Sequence, residues 1–160
     1  MILALLALAL ADPWDAPLTL HGIGTLRIGT PVAALRRMGA TGERYPDEEV
    51  DCAYWQAPRW PGLAMMVSGG RVVRIETEDP RYRTASGARV GMTEAEIRRL
   101  YGPAMRVEPH PYTGPEGHYL VYRARGEPYG LIVETDHETG RARSIRVGTW
   151  QAVELIEGCS

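Results

Sequence analysis

A chain of 160 residues is long enough for one domain or two very small ones, and no more. Its formal net charge of −2 and the lack of any basic stripe exclude an electrostatic grip on nucleic acid or on an anionic membrane surface. All 18 strongly basic residues are Arg, and Lys, Phe and Asn are absent. That pattern reads as codon bias, with no chemistry attached.

The chain opens on an unbroken apolar run, Met1 to Ala11, MILALLALALA. It is too short to span a bilayer, which takes about 20 residues. Its Leu/Ala content and the small residues Ala9 and Ala11 match the apolar region of a secretory signal peptide, although the positively charged start is missing. Residues 1–11 are therefore expected to be a signal peptide, with Asp12 beginning the exported chain. No Cys follows the cleavage point, so a lipid anchor is not expected.

Leu18 and Leu20 alternate with Thr19 and His21, which predicts a brief strand. The stretch Gly24 to Gly39, GTLRIGTPVAALRRMG, predicts a short helix. Thr30 is the expected N-cap, Pro31 the first helical residue, Val32, Leu35 and Met38 the apolar stripe, and Gly39 the stop. A polar loop follows. Strands are expected over Cys52 to Gln56, Leu63 to Val67 and Arg71 to Glu78, with Ser68-Gly69-Gly70 as the turn of a hairpin. In the last of these, Val73, Ile75 and Thr77 should share one face, and Arg74, Glu76 and Glu78 the other, solvated face.

Gly87 to Pro103, GARVGMTEAEIRRLYGP, is the clearest element. Thr93 and Glu96 form a capping box, and Glu94 and Glu96 suit the positive end of the helix dipole. Ile97, Leu100 and Tyr101 make one stripe, and Gly102-Pro103 ends the helix. After it come a Pro/Gly-rich loop from Glu108 to Gly117 and strands over Tyr119 to Arg123, Gly130 to Thr135 and Arg141 to Val147. The order of elements thus occurs twice. Arg27-Ile28-Gly29 answers Arg89-Val90-Gly91, Gly62-Leu63 answers Gly130-Leu131, and Gly70-Arg71 answers Gly140-Arg141. Similarity at a spacing of about 60 to 70 residues reads as a duplication. The expected fold is α+β, in two layers: two similar units, each of short helices packed on a small antiparallel sheet. The units would span residues 12–78 and 79–160.

Val90-Gly91-Met92-Thr93, with Glu96-Ile97, Leu100 and Gly102-Pro103, resembles the signature of small outer-membrane assembly lipoproteins of the SmpA/OmlA (BamE) type. The related tandem form is the secreted β-lactamase-inhibitor protein. This resemblance covers about a tenth of the chain. It implies short helices on a small antiparallel sheet and a non-enzymatic binding or assembly role in the cell envelope. Only fold-defining positions match, so no functional residue carries over, and the missing lipid-anchor Cys departs from the lipoproteins.

Two cysteines, Cys52 and Cys159, are an even count in a chain expected to be exported, which argues for a disulfide over two separate buried thiols. Asp51 beside Cys52 disfavours a reactive thiolate. His110 and His118 lie in loop spacing that matches no zinc signature, so neither metal nor cofactor is expected. They remain the only candidates for the rival function, a small periplasmic hydrolase. Glu76 and Glu78 read as surface charge. Tyr54, Trp55 and Trp60, with Tyr112 and Tyr119, form a possible binding surface for another protein, the alternative being that these aromatics fill the core in place of Phe. The reading is a periplasmic or secreted protein-binding module with no nucleic-acid partner, no catalytic residues and no transmembrane segment in the mature chain.

Overall fold

A computed structural model describes residues 14–42 and 52–159. The expected signal peptide lies outside the described residues. The elements run β1 (Gly22–Ile23), β2 (Leu26–Arg27), α1 (Val32–Arg37), β3 (Thr41–Gly42), β4 (Cys52–Gln56), β5 (Leu63–Ser68), β6 (Arg71–Thr77), α2 (Glu94–Tyr101), β7 (Arg106–Pro109), β8 (His118–Arg123), β9 (Tyr129–Thr135), β10 (Ala142–Thr149) and α3 (Trp150–Val153). The fold is mostly antiparallel sheet with a few short helices, an α+β arrangement.

The sheet has eight strands in the order β3-β4-β5-β6-β10-β9-β8-β7. Separate sheets under each helix are therefore not what forms. Two four-stranded meanders merge because β6 and β10 pair antiparallel, from Ile145 opposite Thr77 to Gly148 opposite Arg74. The expectation of two patches fails there because each central strand is apolar on one face and would otherwise leave an open edge.

Each meander follows a helix, and the local geometry matches. The Gly29 amide donates to the Val72 carbonyl, and the Val72 amide to the Thr30 carbonyl; the Gly91 amide donates to Ala142, and the Ala142 amide to Met92. Arg71 Nη1 reaches the Gly29 carbonyl at 3.0 Å and Arg141 Nη1 the Gly91 carbonyl at 2.9 Å. Both hairpins carry a bulge at the same place, leaving Val73 and Arg143 unpaired. The Val73 bulge overturns the expected alternation: Val72, not Val73, joins Ile75 and Thr77 in facing the core, where Val72 and Ile75 are fully buried.

The capping box is present on α2. The Thr93 amide donates to Glu96 Oε2 at 2.8 Å, and the Glu96 amide to Thr93 Oγ1 at 3.3 Å. Ile97 is fully buried, whereas Leu100 is 42% exposed, so the docked stripe is narrower than its sequence spacing implies. On α1 the N-cap is Pro31, with no side-chain cap; the Thr30 hydroxyl accepts instead from the Arg27 amide. Gly69 and Gly70, at φ +58° and +68°, close the β5–β6 hairpin in a conformation that suits the strand twist. Leu18 and Thr19 make only isolated bridges, to Thr84 and Gly22, in place of the expected strand. The main core lies on the helix side of the sheet. Leu63, Met65, Ile75, Val133, Ile145 and Val147 face α1 and α2 there.

Candidate functional site

The opposite face is built differently. Successive strand residues alternate sides, so Tyr54 on β4, Arg74 and Glu76 on β6, Ser144 and Arg146 on β10, Glu134 on β9 and Tyr119 on β8 share it. The register sets Arg146 directly across from Glu76, and Tyr119 across from Glu134. This face is not the solvated one expected. Directly after β10, α3 packs Trp150 and Val153 on Tyr119, Val121 and Ile132. A side chain at Gly148 would strike the backbone of Val73 and Arg74.

The chain then runs back over the sheet as a strap, residues 154–159. A disulfide between Cys52 and Cys159 ties its end to β4, with Cα atoms 5.4 Å apart, as the cysteine count predicted. Gly158 sits against the Tyr54 hydroxyl at φ +66°, where a larger residue has neither space nor a relaxed backbone. Arg74 holds the strap from beneath. Its Nη1 donates to the carbonyls of Ala152 at 3.0 Å and Leu155 at 2.9 Å. Its Nη2 lies 2.7 Å from Glu76 Oε2 and donates to the Tyr54 hydroxyl. Burial, and then the charge of Glu76, raise the Tyr54 phenol above its ordinary value.

Between strap and sheet is a cavity of about 450 Å³, lined by Tyr54, Arg74, Glu76, Ser144 and Arg146. Arg146 is 5% exposed and stacks over the Tyr119 ring at 4.8 Å. Glu134 sits 3.9 Å from its Nη1 but also 3.4 Å from His110 Nε2 and 3.9 Å from Arg143 Nη1. A neighbouring depression shares Glu134 and Ile156 and adds His110 and Tyr112. Tyr112 donates its hydroxyl to Glu157 Oε1 at 2.6 Å, which raises its pKa.

The sequence-predicted residues divide. Tyr54, Tyr112 and Tyr119 line the strap side. Trp60 is 3% exposed in the main core and Trp55 packs against it from the helix side, so the five aromatics form no single surface. The two tryptophans do what the alternative reading assigned them. His110 and His118 lie apart as well. His118 Nδ1 meets Glu94 on α2 at 2.7 Å, on the helix side. His110 Nδ1 accepts from the amides of Tyr112 and Thr113, which places its proton on Nε2, toward Glu134. Among the described residues, neither histidine hydrogen-bonds a hydroxyl or thiol nucleophile. Among the described residues no three metal-ligating side chains gather, and no helix is long and apolar enough to cross a membrane.

Sequence reasoning missed Arg146, Glu134 and the strap. The only available signal was the Arg/Glu alternation on β6, which identified a face without showing what covers it.

No family model matches the chain, and no curated protein matches it. Among solved structures, the uncharacterized protein YfeY from Escherichia coli is similar, with a TM-score of 0.52 at 12% identity, over 82% of this chain and 99% of that one. An extracellular protein containing a SCP domain, from Bacillus anthracis str. Ames, gives 0.46 at 12% identity, over 76% of this chain and 44% of its own. A cysteine-rich secretory protein from Staphylococcus aureus subsp. aureus Mu50 gives 0.46 at 11% identity, over 78% and 45%. The chain spans less than half the length of the latter two. Identities this low speak to the fold alone, and the likeness that carries it is the one to YfeY.

Proposed function

We propose that this is an exported, non-enzymatic protein of the cell envelope, periplasmic or secreted, that binds another protein through the strap side of its sheet. The carrying observation is the arrangement on that side. Arg74, Glu76, Glu134 and Arg146 lie under the strap, with Arg74 and Arg146 buried, and the half-buried Tyr54 and the exposed Tyr112 flank it. Accessible aromatic side chains are among the residue types that dominate protein contacts. The disulfide supports export, because such bridges persist in oxidising compartments.

The matched bulges and matched helix-to-strand bonds of the two meanders support an origin by duplication of one helix-and-meander unit. That in turn supports the likeness to the SmpA/OmlA and β-lactamase-inhibitor group, and with it an assembly or inhibitory role. The test is affinity capture from envelope extract with wild-type protein beside Tyr112→Ala and Tyr54→Ala. One saturable partner, held by wild type and lost from the variants, is expected. Equal capture by all three removes the strap side as the interface.

A further inference from the structure

The segments leading into the two main helices cross over on the helix side of the sheet. Tyr82, ahead of α2, donates its hydroxyl to the Pro61 carbonyl in the β4–β5 loop at 2.9 Å. His21, ahead of α1, meets Glu127 in the β8–β9 loop at 3.0 Å. Each crossing closes a junction between a lead-in segment and a strand loop. The two junctions correspond by position. Counted from the matched Gly62 and Gly130, Arg59 and Trp60 stand where the second half has Glu127 and Pro128. Counted from Gly29 and Gly91, Tyr82 stands where the first half has Leu20.

The first junction is filled by the chain itself. Tyr82 and Trp60 are 1% and 3% exposed, and the Arg59 guanidinium lies 5.7 Å from the centre of the Trp60 ring. The second junction has Leu20 and Pro128 in their places, and it holds a cavity of about 590 Å³, lined by Leu20, Leu100, Tyr101, Tyr122, Leu131 and Arg125. That volume lies within the range of small-ligand sites. The Tyr101 and Tyr122 rings are 5.4 Å apart and tilted by 50°. Tyr101 donates its hydroxyl to Thr84 Oγ1 at 2.9 Å, which holds its ring in place. Leu100 is the apolar residue of α2 that the core does not take up. Arg125 is exposed, with no ion pair or ring contact among the described residues. A ring pair of this kind can accept a third ring, and a guanidinium is drawn to an electron-rich ring face. The mouth carries both signs, on Arg125 and Glu127, so it selects no net charge.

We propose that this cavity binds a small, uncharged, electron-rich aromatic molecule, an indole or a phenol, with its ring against Tyr101 and Tyr122 and within reach of the Arg125 side chain. The ligand supplies from outside what Trp60 and Arg59 supply together in the first junction. The site lies on the helix side, so the inference is independent of the protein-binding reading of the strap side.

The test is titration calorimetry of the mature, oxidised protein with indole and 4-methylphenol, and with cyclohexanol as an aliphatic ring of similar size. Both aromatics are expected to bind saturably at one site, and cyclohexanol to bind more weakly by about threefold or more. Arg125→Ala should weaken indole by about three- to tenfold and leave cyclohexanol unchanged. Leu20→Tyr, which puts the residue of the first junction into the second, should abolish binding. Leu100→Trp, at an exposed position of α2, should block the same cavity and keeps the test valid if Leu20→Tyr fails to fold. Tyr112→Ala, on the strap side, should leave binding unchanged. No saturable binding of either aromatic, equal binding of cyclohexanol, full binding by Leu100→Trp, or loss of binding in Tyr112→Ala each overturns the proposal. None of these results bears on capture of a protein partner through Tyr54 and Tyr112, so either reading can fail alone.

Discussion

The two faces of the one sheet are made by neighbouring residues and solve different problems. On β10, Ile145 points to the helices and is 1% exposed, while the next residue, Arg146, points to the strap and is 5% exposed. Burial is nearly equal, and the means of achieving it are not. The helix side is largely apolar, and α2 caps itself before docking, so hydrophobic burial is the main force that holds that layer. The strap side carries buried guanidinium groups that no short helix could cover with apolar atoms. It is covered by chain that has no regular structure after α3, fastened by a disulfide, by Arg74 and by the Tyr112–Glu157 bond. Stability belongs to the first face and the candidate site to the second.

That division can be broken experimentally, beginning on the helix side. Ile145→Ala should lower the free energy of unfolding by about 2 to 5 kcal/mol, through lost burial and the cavity left behind. A urea midpoint close to wild type would show that the helix layer is not the main source of stability. Replacing both Cys52 and Cys159 by Ser should come next, at about 2 to 4 kcal/mol, because the bridge closes a large loop in the unfolded chain. Hydrogen exchange should then quicken in residues 154–158 far more than in β9 and β10. Uniform acceleration would mean that the strap and the sheet open as one unit. Arg74→Met should cost about 1 to 3 kcal/mol with the disulfide intact, since the carbonyls of Ala152 and Leu155 lose their donor. Unchanged exchange at the strap would assign Arg74 to the sheet alone.

How much of this was visible in the sequence follows the same line between faces. Alternation and turn chemistry placed β4, β5, β6, β8, β9 and β10, and capping placed α2, because each signal lies within a few residues. β7 has no local signal: Arg106–Pro109 is exposed at every position and ends in proline, so it has no apolar period to detect, and the loop expected from Glu108 overlaps its second half. The pairing of β6 with β10 joins residues about 70 apart, and no local pattern encodes it. Periodicity put Arg74 and Glu76 on one face correctly. It could not tell a solvated face from one covered by the last residues of the chain, and that difference hid the candidate site. The disulfide was legible because it needed only a count and a compartment.

The smallest expected effects fall on α2. Thr93→Ala should cost about 1 kcal/mol, the usual value of an N-cap hydroxyl. The matching change on α1, Thr30→Ala, should cost less, because the Thr30 hydroxyl accepts from the Arg27 amide and caps no helical turn. Acid tests the same cap from the other partner. The backbone amide of Thr93, and then its hydroxyl, hold the Glu96 carboxyl below its ordinary value. A carboxyl depressed in the folded state adds stability that is complete above the unfolded value of about 4.3 and disappears as pH falls through the lower native value. Glu96→Gln should therefore be less stable than wild type at neutral pH, and the gap should narrow at acid pH. A gap independent of pH would show that the side chain at 96 supports the helix by packing or propensity, and that its charge contributes nothing to the cap.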